Sequence, residues 1–128
     1  MKIMFVSAAN STHTVRWVNA LAERGHEVYL VSNRGHEPKE DALNSRVKLY
    51  LMKHSGGKGY YLNAGELRKI AKRINPDVIN VHYASGYGTL ARKARLPKYI
   101  LSVWGSDVYD LSLIHISRAH ETTLHLVC

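Results

Sequence analysis

Four side chains have the types and placement to do chemistry together: His82, His13, Arg16 and Asp107. An imidazole with its ordinary pKa near ~6.5 can donate, accept or carry charge at neutral pH. His82 could therefore hydrogen-bond a hydroxyl or stabilise a leaving group. The competing assignment is a core histidine held by backbone groups. The planar fork of Arg16 matches a phosphate or carboxylate, although on a helix surface it equally serves as a solvated cation beside His13. Asp107, in Gly105-Ser106-Asp107, could bind an acceptor hydroxyl or act as a base, or simply cap a turn. Gly86 and Gly88 permit close backbone approach. A helix starting behind them would favour a negative group by about 0.3–1 kcal/mol, while turn formation alone explains them as well.

These residues can converge only if the chain folds around a parallel sheet. Lys2–Val6 is a short apolar run of strand formers. Ser7 to Ser11 is small and turn-prone, and helical spacing begins at Thr12, where Val15, Val18, Leu21 and Ala22 share a face. Asn10 or Ser11 can cap that helix and Gly25 can stop it near Arg24. Further strands are expected at Val28–Ser32, Val47–Met52, Val78–His82 and Tyr99–Val103. Helices are expected at Asn63–Ile74 and Gly88–Arg95. Asn33–Arg46 and the glycine-rich Lys53–Tyr61 read as loops, the second of them mobile. Such alternation predicts an α/β fold, a Rossmann-like open parallel sheet with helices on both faces. The loops Ser7–Thr14, His82–Tyr87 and Trp104–Asp107 would then open on one rim, where ligands of such sheets bind.

Composition narrows the function. The chain has 128 residues, 45% hydrophobic and 22% charged, with a formal charge of +8. That charge favours an anionic partner: a phosphorylated small molecule, an anionic membrane face or nucleic acid. The basic helix Asn63–Ile74 lacks interleaved aromatics, which argues against nucleic acid. No run approaches the ~20 apolar residues of a membrane span, and the N-terminus lacks the pattern of a signal peptide. A cytoplasmic location is the expectation. The histidines lack metal-ligand spacing, and the single Cys128 has no internal disulfide partner, so neither a metal nor another cofactor is expected. There is no G-x-G-x-x-G after the first strand. Gly56-Gly57-Lys58-Gly59 lacks both the leading glycine and the final Ser or Thr of a P-loop.

The C-terminal stretch Leu111 to Cys128 departs from what precedes it. Leu111 to Thr122 is similar to the translation of a transposon-end sequencing adapter, so the tail is expected to be non-native, with residues 1–110 forming the domain. A genuine short strand and helix is the alternative. Arg118 and Glu121 cancel, so the net charge belongs to the earlier residues.

Three phrases taken in order, MKIMFVSAANSTHTVRWVNALAERGHEVYLVS, NPDVINVHYASGYG and YILSVWGSDVYD, resemble the N-terminal domain of glycosyltransferase family 4, of the GT-B fold. The resemblance spans Met1 to about Asp110. It implies transfer of a sugar from a nucleotide-diphosphate donor, usually with retention at the anomeric carbon and without an essential metal. It also implies a role in cell-envelope or polysaccharide synthesis. In that family the N-terminal domain mostly binds the acceptor, and a C-terminal domain binds the nucleotide and supplies a pair of glutamates. By motif position His82 resembles the catalytic histidine near the donor sugar. Ser7–Ser11, including Ala9, Asn10 and Ser11, resembles the first loop, which approaches the donor phosphates and acceptor. His13 and Arg16 are candidates by their type and placement beside it. Gly105 and Asp107 match a loop that helps to line the acceptor pocket, although Trp104 stands where a histidine often precedes the glycine. Gly86 is a substrate-binding candidate by close backbone approach alone. The resemblance implies as partners a nucleotide-sugar donor, held mainly by a domain outside these residues, and a sugar or lipid-linked acceptor. Peripheral contact with an anionic inner membrane face would suit the basic surface. The fragment alone is expected to be inactive. A non-catalytic Rossmann- or flavodoxin-like module for a phosphorylated small molecule is the competing function.

Overall fold

β1 (Lys2–Val6) alternates its side chains between two apolar layers, and both layers are buried. That alternation places it at the middle of a sheet rather than at an edge. The structure is a computed structural model that describes residues 1–82, 86–103 and 123–126. α1 (Thr12–Glu23) and β2 (Glu27–Arg34) follow, then β3 (Lys48–Ser55), α2 (Gly59–Leu62) and α3 (Ala64–Ile74). β4 (Val78–His82), α4 (Tyr87–Lys93), β5 (Ile100–Val103) and β6 (Thr123–Leu126) complete the described elements. The sheet order is β3-β2-β1-β4-β5-β6, with every pair parallel. The expected α/β Rossmann-like open sheet is therefore the fold.

On one face Ile3, Phe5, Val28 and Leu30 pack against Val18 and Ala22 of α1. On the other, Met4, Val6, Val31, Ile79, Val81 and Leu101 pack against Leu67, Ala71 and Ile74 of α3 and Leu90 and Ala91 of α4. Right-handed crossovers account for the division. The chain moves from β1 toward β3 over the α1 face and returns to β4 and β5 over the opposite face. The 35–47 connection lies along α1, where Asn19 donates to the Ala42 carbonyl and accepts from the Asn44 N–H.

The observed elements extend several of the expected ones. Gly25 ends α1 in the left-handed region at φ +92°, with its N–H bonded to Ala22. Ser11 occupies the N-cap position, but its side chain makes no capping bond. The Lys53–Tyr61 loop is where expectation and structure differ most. β3 continues to Ser55 and α2 begins at Gly59, because a buried polar staple holds this segment to the sheet. Asn63 accepts from the His54 N–H at 3.0 Å and donates to the His54 carbonyl at 2.9 Å and to Asn33 Oδ1 at 2.8 Å. One side-chain amide thus pairs with both backbone groups of a strand residue. Those groups would be costly to bury unpaired. β6 falls within the stretch expected to be non-native. The rest of that stretch and Trp104–Asp107 lie outside the described residues.

Gly59 sits so close to this staple that a Cβ there would lie 2.7 Å from the His54 carbonyl oxygen. Gly59→Ala is expected to lower stability by about 1–3 kcal/mol, the usual cost of overpacking. A Cβ on Gly57 meets nothing within 4 Å, so Gly57→Ala should stay within about 0.5 kcal/mol. Urea denaturation midpoints of the two variants test the difference.

Candidate functional site

The carboxyl ends of β1, β2 and β4 form a rim built largely from small and polar residues. Ser7 leaves β1 fully buried, and its N–H still bonds Val31 across the sheet. Its hydroxyl lies 2.5 Å from that of Thr14, in the first turn of α1. The Ser32 hydroxyl donates to the Ser7 carbonyl. These contacts fix the turn through Ala8 to Ser11, which closes with the Ser11 N–H on the Ala8 carbonyl. Ala9 is buried beneath it, whereas Asn10 is exposed and Ser11 half-buried. The first turn of α1 carries no acidic residue and no side-chain cap. Its leading N–H groups therefore retain the partial positive charge that attracts anions.

His82 ends β4 next to this turn. It is 2% exposed, and its ring meets Phe5 edge-on at 5.5 Å between centroids. Burial first, and the nearby charge of His13 second, together lower its pKa to about 4. The imidazole is thus neutral at pH 7, with one nitrogen able to donate and the other to accept. His13 itself is exposed, as is Arg16 one turn further along α1. His82, His13 and the Ser7–Ser11 corner are accordingly gathered at one end of the sheet. Gly86 lies on the same rim at φ +62°, ahead of α4. Gly105 and Asp107 lie outside the described residues.

Sequence reasoning missed a second polar cluster on this rim. Tyr87 Oη accepts from the Asn33 N–H at 3.0 Å and lies 2.6 Å from His36 Nδ1. Burial pushes the Tyr87 phenol up in pKa, so it stays protonated. Tyr60 of α2 packs edge-on against Tyr87, with centroids 5.3 Å apart. A Cβ on Gly86 would lie 3.1 Å from the Tyr60 ring. Glycine at 86 therefore serves a packing need as well as a backbone one. The available signal was polar residues near element ends, namely Asn33 near the end of β2 and Asn63 at the expected start of a helix.

Beside α1, an apolar trough of about 330 Å³ runs down the sheet from His82. Asn80 and Ser102 are its other polar members, and Ser102 Oγ donates to Asn80 Oδ1 at 3.2 Å. Among the described residues no group of three His, Cys, Asp or Glu could hold a metal ion.

A sequence profile described as glycosyl transferase 4-like matches residues 2–125. The chain belongs to that glycosyltransferase family. No curated protein matches it. Among solved structures it is similar to a UDP-galactose 4-epimerase, with a TM-score of 0.51 and 12% identity. The similarity covers 80% of this chain and 55% of the epimerase, so this chain matches little more than half of that protein. At that identity the likeness concerns the fold, and it agrees with the Rossmann-like sheet. This glycosyltransferase domain has, among its described residues, no helix long and apolar enough to cross a membrane.

The depressed His82 pKa ties stability to pH. Between about pH 6.5 and 4 the unfolded chain takes up a proton on this group that the folded chain refuses. Stability is therefore full above the unfolded pKa and falls as the pH drops toward 4, by up to about 3 kcal/mol from this residue. His82→Gln should flatten that slope relative to the parent. Denaturant midpoints measured from pH 7 to pH 4 for both proteins would show it.

Proposed function

We propose that residues 1–110 form the acceptor-side domain of a retaining glycosyltransferase. This enzyme moves a hexosyl group from a nucleotide-diphosphate-sugar to an acceptor hydroxyl in cell-envelope or polysaccharide synthesis. The observation that carries the reading is a neutral, buried His82 at the strand end beside the Ser7–Ser11 turn, in a chain of this family. A neutral imidazole there can accept from one sugar hydroxyl or donate to another without introducing a competing charge. The uncapped start of α1 offers N–H groups toward a donor phosphate. Ala9, Asn10, Ser11, His13 and Arg16 would border that approach, and Gly86, Gly105 and Asp107 the acceptor side. In this reading the nucleotide is held chiefly by a second domain facing the rim, and no metal is required.

The same α1 terminus would also serve a non-catalytic module for a phosphorylated small molecule. NMR titration separates the two readings. Simple saccharide acceptors should shift the His82 ring and residues 7–14, while nucleotide sugars at equal concentration should give at most weak shifts and no turnover with the 128-residue chain. Tight phosphate binding with no response to saccharides would favour the module. Turnover would show that the chain already holds a complete donor site.

Contact with an anionic membrane face forms a further part of this proposal. Tyr61 and Leu62 are each 57% exposed, and Lys93 Nζ stands 5.1 Å from the Tyr61 ring centroid. An aromatic and an aliphatic side chain beside a cation suit the headgroup region. Sedimentation with vesicles containing anionic lipid should exceed that with neutral vesicles and should fall in Tyr61→Ala. Equal partition between the two vesicle types would remove this part of the proposal.

A further inference from the structure

At the end of the sheet opposite the rim, two corners lead from helices into strands. Asn75-Pro76 joins α3 to β4, and Arg95-Leu96-Pro97 leads from α4 toward β5. A pocket of about 230 Å³ lies between these corners. Ala71, Ile79 and Leu96 give it an apolar floor, and three cations line it: Arg68, Lys72 and Arg95. All three cations are exposed, as are Asn75 and Pro97 beside them, so the pocket opens to solvent. Among the described residues no carboxylate lines it. The acids between residues 63 and 103 are Glu66 and Asp77, and both are engaged elsewhere. Glu66 accepts from the Lys53 N–H and Asp77 from the Lys2 N–H. Cations in the last turn of a helix ordinarily answer the carbonyl dipole there. That accounts for Lys72, but not for Arg68, one turn earlier, or for Arg95, beyond the end of α4. Arg68 and Lys72 stand four residues apart on one helix face, a like-charge pairing that costs stability when no anion lies beside it. Arg95 has φ +54°, a left-handed conformation that glycine or asparagine adopts more easily.

We propose that this pocket is a second anion site, separate from the rim, that takes a soluble phosphate monoester. The phosphate sits among Arg68, Lys72 and Arg95, and the esterified carbon body lies on the apolar floor. A monoester near neutral pH carries about 1.5 to 2 negative charges, so it answers three cations better than a carboxylate or a phosphodiester does. The two guanidinium forks suit phosphate oxygens, and Lys72 adds a point charge. Inorganic phosphate has nothing to place on Ile79 and Leu96, whereas an ester gains affinity by burying its apolar body there. Val78, next to the Asn75-Pro76 corner, is four strand residues from His82, roughly 13 Å along β4. An occupant of the pocket therefore leaves the rim free. Because the cations come from α3 and from the corner after α4, a bound dianion ties the two together.

The test needs no sugar donor, so it stands or falls separately from transfer chemistry. Phenyl phosphate is titrated into the 128-residue chain at about pH 7.5 and constant ionic strength, with amide shifts recorded by NMR. Saturable shifts should appear in residues 71–76 and 94–97 and persist in Arg16→Gln, which alters only the rim. Lys72→Gln and Arg95→Asn should each weaken binding about fivefold. Arg68→Gln repeats the test if Arg95→Asn does not fold. Lys69→Gln removes the same charge from α3 outside the pocket and should change affinity less than about twofold. Inorganic phosphate and methyl phenyl phosphate, a diester with the same ring, should bind at least about fivefold more weakly. Absence of saturation, or equal loss in Lys69→Gln and Lys72→Gln, would overturn the proposal. So would inorganic phosphate binding as tightly as the ester. A diester binding as tightly would assign the pocket to a lipid headgroup instead, and an acidic peptide displacing phenyl phosphate at equal concentration would assign it to a protein partner. Either result overturns the proposed ligand.

Discussion

β1 must hydrogen-bond to strands on both sides while both of its faces are removed from water. β2 and β4 supply the two ladders, with Ile3 opposite both Val28 and Val78. In a buried strand every peptide group has to find its partner within the protein, so the central strand leaves little freedom in how its neighbours align. That alignment brings the ends of β1, β2 and β4 to a common level. The turn after Val6 and the ring of His82 become neighbours although 75 residues separate Ser7 from His82 in the sequence.

The rim illustrates how polar groups can be buried without being wasted. Ser7, Thr14, Ser32, Asn33, Asn63 and His82 are all buried, and a buried polar group is tolerated only when it is hydrogen-bonded. Here Ser7, Thr14, Ser32, Asn33 and Asn63 bond to one another and to strand ends. Asn63 is the clearest instance, since its amide satisfies both backbone groups of His54 at the outer strand of the sheet. Such bonds hold loops at fixed positions where apolar packing would allow them to slide. A site that must orient hydroxyl groups needs that rigidity.

The two faces of the sheet are unequal for a topological reason. Among the described residues, connections of one hand place α3 and α4 together on one side, and α1 with the 35–47 segment on the other. The α1 face over β4 and β5 is consequently where apolar surface and polar strand positions meet. Part of the +8 charge is borne on the opposite face, with Arg68, Lys69, Lys72 and Arg73 exposed on α3.

By itself the sequence determined the sheet and its order of elements. The apolar run of Val78–His82 and the helical spacing from Thr12 are local patterns, and local patterns survive into the fold because side-chain periodicity sets which face is buried. The family resemblance implied, separately from any periodicity, that His82 and the first loop belong to one site. Only the tertiary structure decided what depends on partners distant in the chain. The loop at Lys53–Tyr61 became part of a strand and a short helix because Asn63 and Asn33, 30 residues apart, meet beside His54. Tyr87, Tyr60 and His36 form a cluster that no spacing rule connects. His82 loses its charge because the fold surrounds it with apolar groups and sets it near His13, and desolvation is a property of an environment that no single residue carries.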